Sequence, residues 1–131
     1  MLEVLKMFKD IEKWKEDTAD YIVKRGTSGI WTYEKWYSGI VKAWGVSEVV
    51  STGALTKSGS IYYKTDVKVA TIPKAVMSEI DQVVASYTEA TTVGWLSNVG
   101  VSGQDVIVTF NREQSGSTSV RCAIQAVGKW K

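Results

Sequence analysis

Hydrophobic and polar residues alternate with a period of two over most of the chain. Val106, Val108 and Phe110 interleave with Ile107 and Thr109, and Val120, Cys122, Ile124 and Ala126 with Arg121, Ala123 and Gln125. Ile61, Tyr63, Val67 and Val69 are expected on one face of a strand, with Tyr62, Lys64, Asp66 and Lys68 on the other. Each is the pattern of a half-buried β-strand. Turn-rich segments separate the runs: Ser51-Thr52-Gly53, Lys57 to Ser60, Ser97 to Gln104 and Asn111 to Ser119. Residues 30 to 131 therefore predict a small antiparallel β-sandwich.

The first residues follow another period. Val4, Met7, Ile11, Trp14, Thr18 and Tyr21 are spaced three, four, three, four, three, a heptad seam over residues 2 to about 24. Lysines and acids fill most other positions. Gly26 is expected to stop this helix, with Lys24 and Arg25 favourable at its negative end. At 1.5 Å per residue the helix would be about 34 Å long. Its seam can be buried on the chain's own sheet or in a parallel coiled coil. The wide apolar face, with Leu2, Leu5, Phe8 and Ile22 beside the seam, suits three strands. The expected division is a helical stalk at 1–25 and a β domain at 26–131.

One segment is ambiguous. Val76, Met77, Ile80, Val83 and Val84 fit helical spacing, yet Val83 to Thr88 is β-prone. The reading taken is a short turn near Lys74 to Glu79, then a strand from about Ile80. Pro73 ends the preceding strand, because proline donates nothing to a ladder. Residues 31 to 45 hold three tryptophans and two tyrosines. They form two strand-like runs joined by a tight turn at Tyr37-Ser38-Gly39.

Composition narrows the function. The 131 residues are enough for one domain and an appendage, and hydrophobic residues make up 44%. The net charge is +2 and the cations are dispersed, so no basic stripe marks a nucleic-acid groove. Histidine is absent, which removes the commonest general base and metal ligand. The single cysteine, Cys122, has no internal partner and reads as a small buried residue. No apolar run reaches the roughly 18 residues of a membrane span. Met1 to Val4, with its acid, is unlike a signal peptide, which points to synthesis in a cytoplasm.

The pattern Trp31-x-Tyr33-x-Lys35-Trp36-x-x-Gly39-x-x-x-x-Trp44-Gly45 resembles the opening of C-terminal domains of phage tail-fibre, tail-spike and baseplate proteins. The likeness is greatest to those of phages and prophages of Firmicutes. It continues through Thr71-Ile72-Pro73, the alternating runs Thr92 to Val101 and Gln104 to Phe110, and the ending Ile124 to Lys131, with its Val127-Gly128-Lys129-Trp130. It covers residues 26 to 131. Ile72 stands where the family often has an aromatic. The resemblance implies a sandwich similar to H-type lectins, assembled as a homotrimer at the tip of an adsorption fibre in the virion tail. It implies a host-surface glycan and other tail or baseplate proteins as partners, no nucleic acid, no membrane insertion and no cofactor.

Recognition residues are expected on loops held by the sandwich. Tyr62, Trp95, Asn98, Gln104, Asn111, Arg112 and Gln114 combine planar and polar groups. Asn111 with Arg112 offers amide and guanidinium donors to hydroxyls or a carboxylate. Trp31, Trp36 and Trp44 read first as packing or subunit contacts, and Gly39 and Gly45 as backbone requirements. For catalysis, Glu79 with Asp81 and Glu34 with Glu48 are the obvious acid pairs, and both read as solvated. No catalytic and no metal-binding residue is assigned. Two rivals stay open: a cap that trimerises a fibre and binds nothing, and a polysaccharide depolymerase fragment.

Overall fold

The hairpin expected at residues 31 to 45 forms as read. In the computed structural model, which describes residues 20–88 and 93–131, β2 (Trp31–Trp36) turns at Tyr37 to Gly39 into β3 (Ile40–Val46). The Gly39 N–H closes the turn on the Trp36 carbonyl at 3.0 Å, and Gly39 takes a φ of 102° that favours glycine. Around it lie β1 (Ile22–Ser28), β4 (Val50–Ser51), β5 (Thr56–Ser58), β6 (Ile61–Thr71), β7 (Glu79–Tyr87), β8 (Trp95–Ser102), β9 (Asp105–Arg112), β10 (Ser119–Val120) and β11 (Cys122–Lys129).

These strands make a five-stranded sheet in the order β1-β2-β3-β11-β7 and a four-stranded sheet in the order β5-β6-β9-β8. A short ribbon joins β4 to β10. All the pairings are antiparallel. The mainly β, sandwich-like architecture is thus present. Its core takes Trp31, Tyr33, Val41, Ala43, Cys122, Ile124 and Ala126 from the first sheet. From the second it takes Val67, Val69, Val106, Val108 and Phe110. The Trp31 indole N–H bridges the sheets by donating to the Thr71 carbonyl at 2.8 Å. Ile72, Val76 and Met77, fully buried on either side of Pro73, plug one end. The turn there and the strand that follows agree with the reading of residues 74 to 87.

The N-terminal expectation needs correcting where the structure reaches it. The helix was to run to about residue 24 and stop at Gly26. Instead Ile22–Ser28 is an edge strand, so residues 22 to 25 belong to the sheet. Tertiary packing overrides the helical spacing here. Gly26 sits opposite Tyr33, and a methyl group on it would collide with the Tyr33 ring. That glycine makes room for a core aromatic. Tyr21, assigned to the heptad seam, stacks on Tyr37 with ring centroids 5.1 Å apart. The rest of the seam, Val4 to Thr18, lies outside the described residues, as does the proposed coiled coil. Among the described residues there is no α-helix.

Two further readings change. Ser97 to Ser102 continues β8 as far as the turn at Gly103. In β6 an extra residue enters between Lys64 and Val67, a β-bulge. Tyr62 pairs with Arg112 and Val67 with Val108. Those partners are an even number apart, so Tyr62 and Val67 share the inner face. Tyr63, opposite Asn111, is the tyrosine that faces outward.

Candidate functional site: the outer face of the four-stranded sheet

β9 is central in its sheet, and its burial alternates from Asp105 to Phe110, after which Asn111 and Arg112 are both buried. Val106, Val108 and Phe110 are fully buried, while Asp105, Ile107 and Thr109 are half-buried on the outer face. Cross-strand register places residues in rows across this outer face. One row runs Thr56, Tyr63, Asn111, Trp95. Neighbouring strands lie about 4.8 Å apart, so the two aromatics flank the amide at about 5 Å on either side. The Asn111 amide donates to the Trp95 carbonyl at 3.4 Å, which steadies the row. Trp95 is 41% exposed.

The next row along the strands holds Asn98 opposite Thr109, with the β6 bulge at Thr65 and Asp66 on the other side. A second bulge, in β8 between Leu96 and Asn98, faces the first across β9. Bulges bend a strand and re-aim its side chains. Between them the face sinks into a groove of about 530 Å³, lined by Thr65, Asp66, Asn98, Gly100, Ile107 and Thr109 among others. Further on, Asp105 accepts a hydrogen bond from the Thr71 hydroxyl at 2.7 Å and pairs with Lys68 at 3.5 Å. The Thr71 bond is the main cause that holds its carboxyl below the usual range; burial opposes it, and the Lys68 charge adds a smaller lowering.

The seven residues singled out from sequence fall in four places. Trp95, Asn98 and Asn111 stand on this outer face. Arg112 and Tyr62 turn inward beside it. The buried Arg112 guanidinium donates to the carbonyls of Gln114, Ser115 and Ser117 at 2.9, 2.8 and 3.3 Å. It organises the loop after β9, where Gln114 itself is exposed. Gln104 lies at the far end and donates to the Ile72 and Met77 carbonyls at 2.7 and 3.0 Å, tying down the plug around Pro73. Sequence reading missed Tyr63, Thr65, Asp66 and Thr109, since alternation alone cannot reveal a bulge. The mid-strand pair Thr65-Asp66, poor in β propensity at its acid, was the available signal.

A second surface lies on the outer face of the five-stranded sheet. Trp44, Gln125 and Val84 stand in one register row, flanked by Val46 and Val127. Trp44 is 38% and Val84 52% exposed. Of the three tryptophans read as packing, Trp31 is core, while Trp44 is displayed on this face. Trp36 lies under the Lys42 ammonium, 5.1 Å from its ring, and its indole N–H has no hydrogen-bond partner among the described residues. Gly45 is needed for close approach, because a methyl there would meet the Ile30 carbonyl.

Of the acids weighed for catalysis, Glu79 pairs with Lys129 at 3.8 Å and Glu34 with Arg25 at 3.9 Å. No group of acids, cysteines or histidines suited to a metal occurs among the described residues. No helix among them is long and apolar enough to cross a membrane. The chain matches no protein-family model, no curated protein and no solved structure.

Proposed function

We propose that this chain is the tip domain of a phage or prophage tail fibre and binds host cell-surface glycans during adsorption. The observation that carries the reading is the row Tyr63, Asn111, Trp95 on the outer face of the four-stranded sheet, with Trp95 exposed, Tyr63 half-buried and Asn111 buried between them. Aromatic rings pack on the apolar faces of pyranoses, while the Asn111 amide, bonded to the Trp95 carbonyl, holds the row in place. The row is held from beneath by a fully paired strand and by the Arg112-organised loop, so little order is lost on binding. The sequence likeness to tail proteins sets the biological context. The proposed act is binding rather than bond cleavage, and the locale is the virion tail.

Homotrimerisation belongs to the same proposal. A shallow site gives about millimolar affinity, near −4 kcal/mol. Three sites on one rigid assembly raise avidity by roughly 10² to 10⁴. The exposed Trp44, Val46, Val84 and Val127 supply an apolar surface for subunit contact. That surface also favours the second reading, a trimerising cap that touches no receptor. A glycan array together with adsorption of the labelled protein to host cells separates the two. Retention on both, lost in Trp95→Ala, supports recognition. A stable trimer that is silent in both assays leaves the cap and removes the receptor-binding reading.

A further inference from the structure

Asp66 and Gly100 go against local preference in opposite directions. Asp66 has a φ of 55°, the left-handed region, and is the one non-glycine residue there among the described residues. Glycine adopts that geometry without strain and is the usual occupant of such a bulge position. Gly100 stands inside β8, where glycine packs nothing and weakens the strand. Of the eleven glycines, six have positive φ and four, Gly26, Gly45, Gly94 and Gly128, would bring a methyl onto a neighbour. Gly100 alone has neither reason: a methyl there meets nothing within 4 Å. The chain thus keeps a side chain where glycine is easier, and glycine where a side chain is easier. Both positions line the same groove. Places where local rules are broken without a packing reason are where a ligand is expected.

We infer that this groove is a subsite for one uncharged pyranose unit, next to the unit stacked on Trp95 and Tyr63. The inference rests on the glycan-binding reading and extends it. The Asp66 carboxylate accepts hydrogen bonds from ring hydroxyls, while the Asn98 amide and Thr109 hydroxyl donate or accept. Gly100 and Ile107 leave room for the flat face of the ring. Thr109 and Asn111 are two residues apart on β9, about 7 Å, a spacing that adjacent sugars of one chain can bridge. Charge selects the class. Lys68 is paired with Asp105, and Asp66 has no ion-pair partner among the described residues. The groove therefore carries an uncompensated carboxylate, which repels uronates and other acidic sugars.

The test uses the full chain on an array of hexose and N-acetylhexosamine oligosaccharides of two to six units, with uronate-bearing counterparts. Wild type is expected to hold uncharged members and reject the uronates. Gly100→Val fills the groove and Asp66→Gly empties it of its acceptor. Each is expected to lower affinity at least tenfold with the melting temperature unchanged or raised, because each relieves a local conflict. Amide resonances of Gly100 and Thr109 are expected to shift on adding the best oligosaccharide. If both variants bind like wild type while Trp95→Ala does not, the groove is no subsite, although the glycan reading survives. Preference for the uronates overturns the ligand class. Wild-type failure on the array and on host cells removes the glycan reading, and this subsite with it.

Discussion

Arg112 shows how a residue chosen for recognition serves the scaffold instead. Its guanidinium is buried and its donors end on three loop carbonyls. Replacing it with leucine leaves those carbonyls unpaired in a nearly dry place. Arg112→Leu is therefore expected to lower stability by about 3 kcal/mol in urea unfolding. Cys122 is the other residue whose environment decides its chemistry. Burial pushes its thiol from 9.0 up to about 11. The native thiol is expected to react with a thiol-specific reagent only as fast as the protein opens. Its raised value also has a pH consequence. The folded state holds the proton more tightly than the unfolded one, so the contribution is full below about 9 and declines as pH rises through about 11. Cys122→Val should flatten that alkaline decline in a series of unfolding curves.

At the scale of elements, the edge strand β1 is the least expected part. Heptad spacing and a terminal glycine read as a helix end, yet Gly26 is where the Tyr33 ring passes. Gly26→Ala is expected to cost about 1–3 kcal/mol through that collision, measured by chemical denaturation. The β6–β9 pairing contributes a second element-scale effect at the Thr71–Asp105 bond. The bonded carboxylate has a depressed pKa, so its stabilisation is present above about 3.8 and is lost as pH falls through the lower folded value. Thr71→Val removes the main cause. The variant is expected to be less stable than wild type at neutral pH, with the gap closing in acid.

For the whole molecule, the outer face of the four-stranded sheet carries the Asp66 groove, and that of the five-stranded sheet displays Trp44, Val46, Val84 and Val127. The proposed trimer predicts a solution mass about three times 14.5 kDa. Asp20 anchors the start of the sheet. Its carboxylate accepts from the Ser38 backbone N–H at 3.0 Å and from the Ser38 hydroxyl, tying the start of the sheet to the β2–β3 turn. On the proposal that the heptad seam Val4 to Thr18 is what joins the three copies, with the Trp44 face too weak to do so alone, removing residues 1–19 is expected to leave a folded single chain and to weaken retention on glycan surfaces by roughly 10² or more, while single-site affinity holds. Light scattering and surface retention measured together check this. Unchanged retention by a monomeric truncation contradicts the avidity argument.

Period-two alternation was enough to locate β9, β11 and the β2–β3 hairpin, because a strand half in water must alternate. Pro73 and the β-prone run Val83 to Thr88 likewise announced the turn before β7. The chain alone also indicated that Cys122 is buried. Only the folded arrangement decided that Ile22–Ser28 is a strand, since its pairing with β2 and the packing of Tyr33 lie outside local propensity. Only the fold placed Tyr63 outward and Tyr62 inward, because one extra residue in a bulge reverses every face beyond it. The groove itself joins residues from β6, β8 and β9. Their proximity is a property of cross-strand register, which no single segment carries.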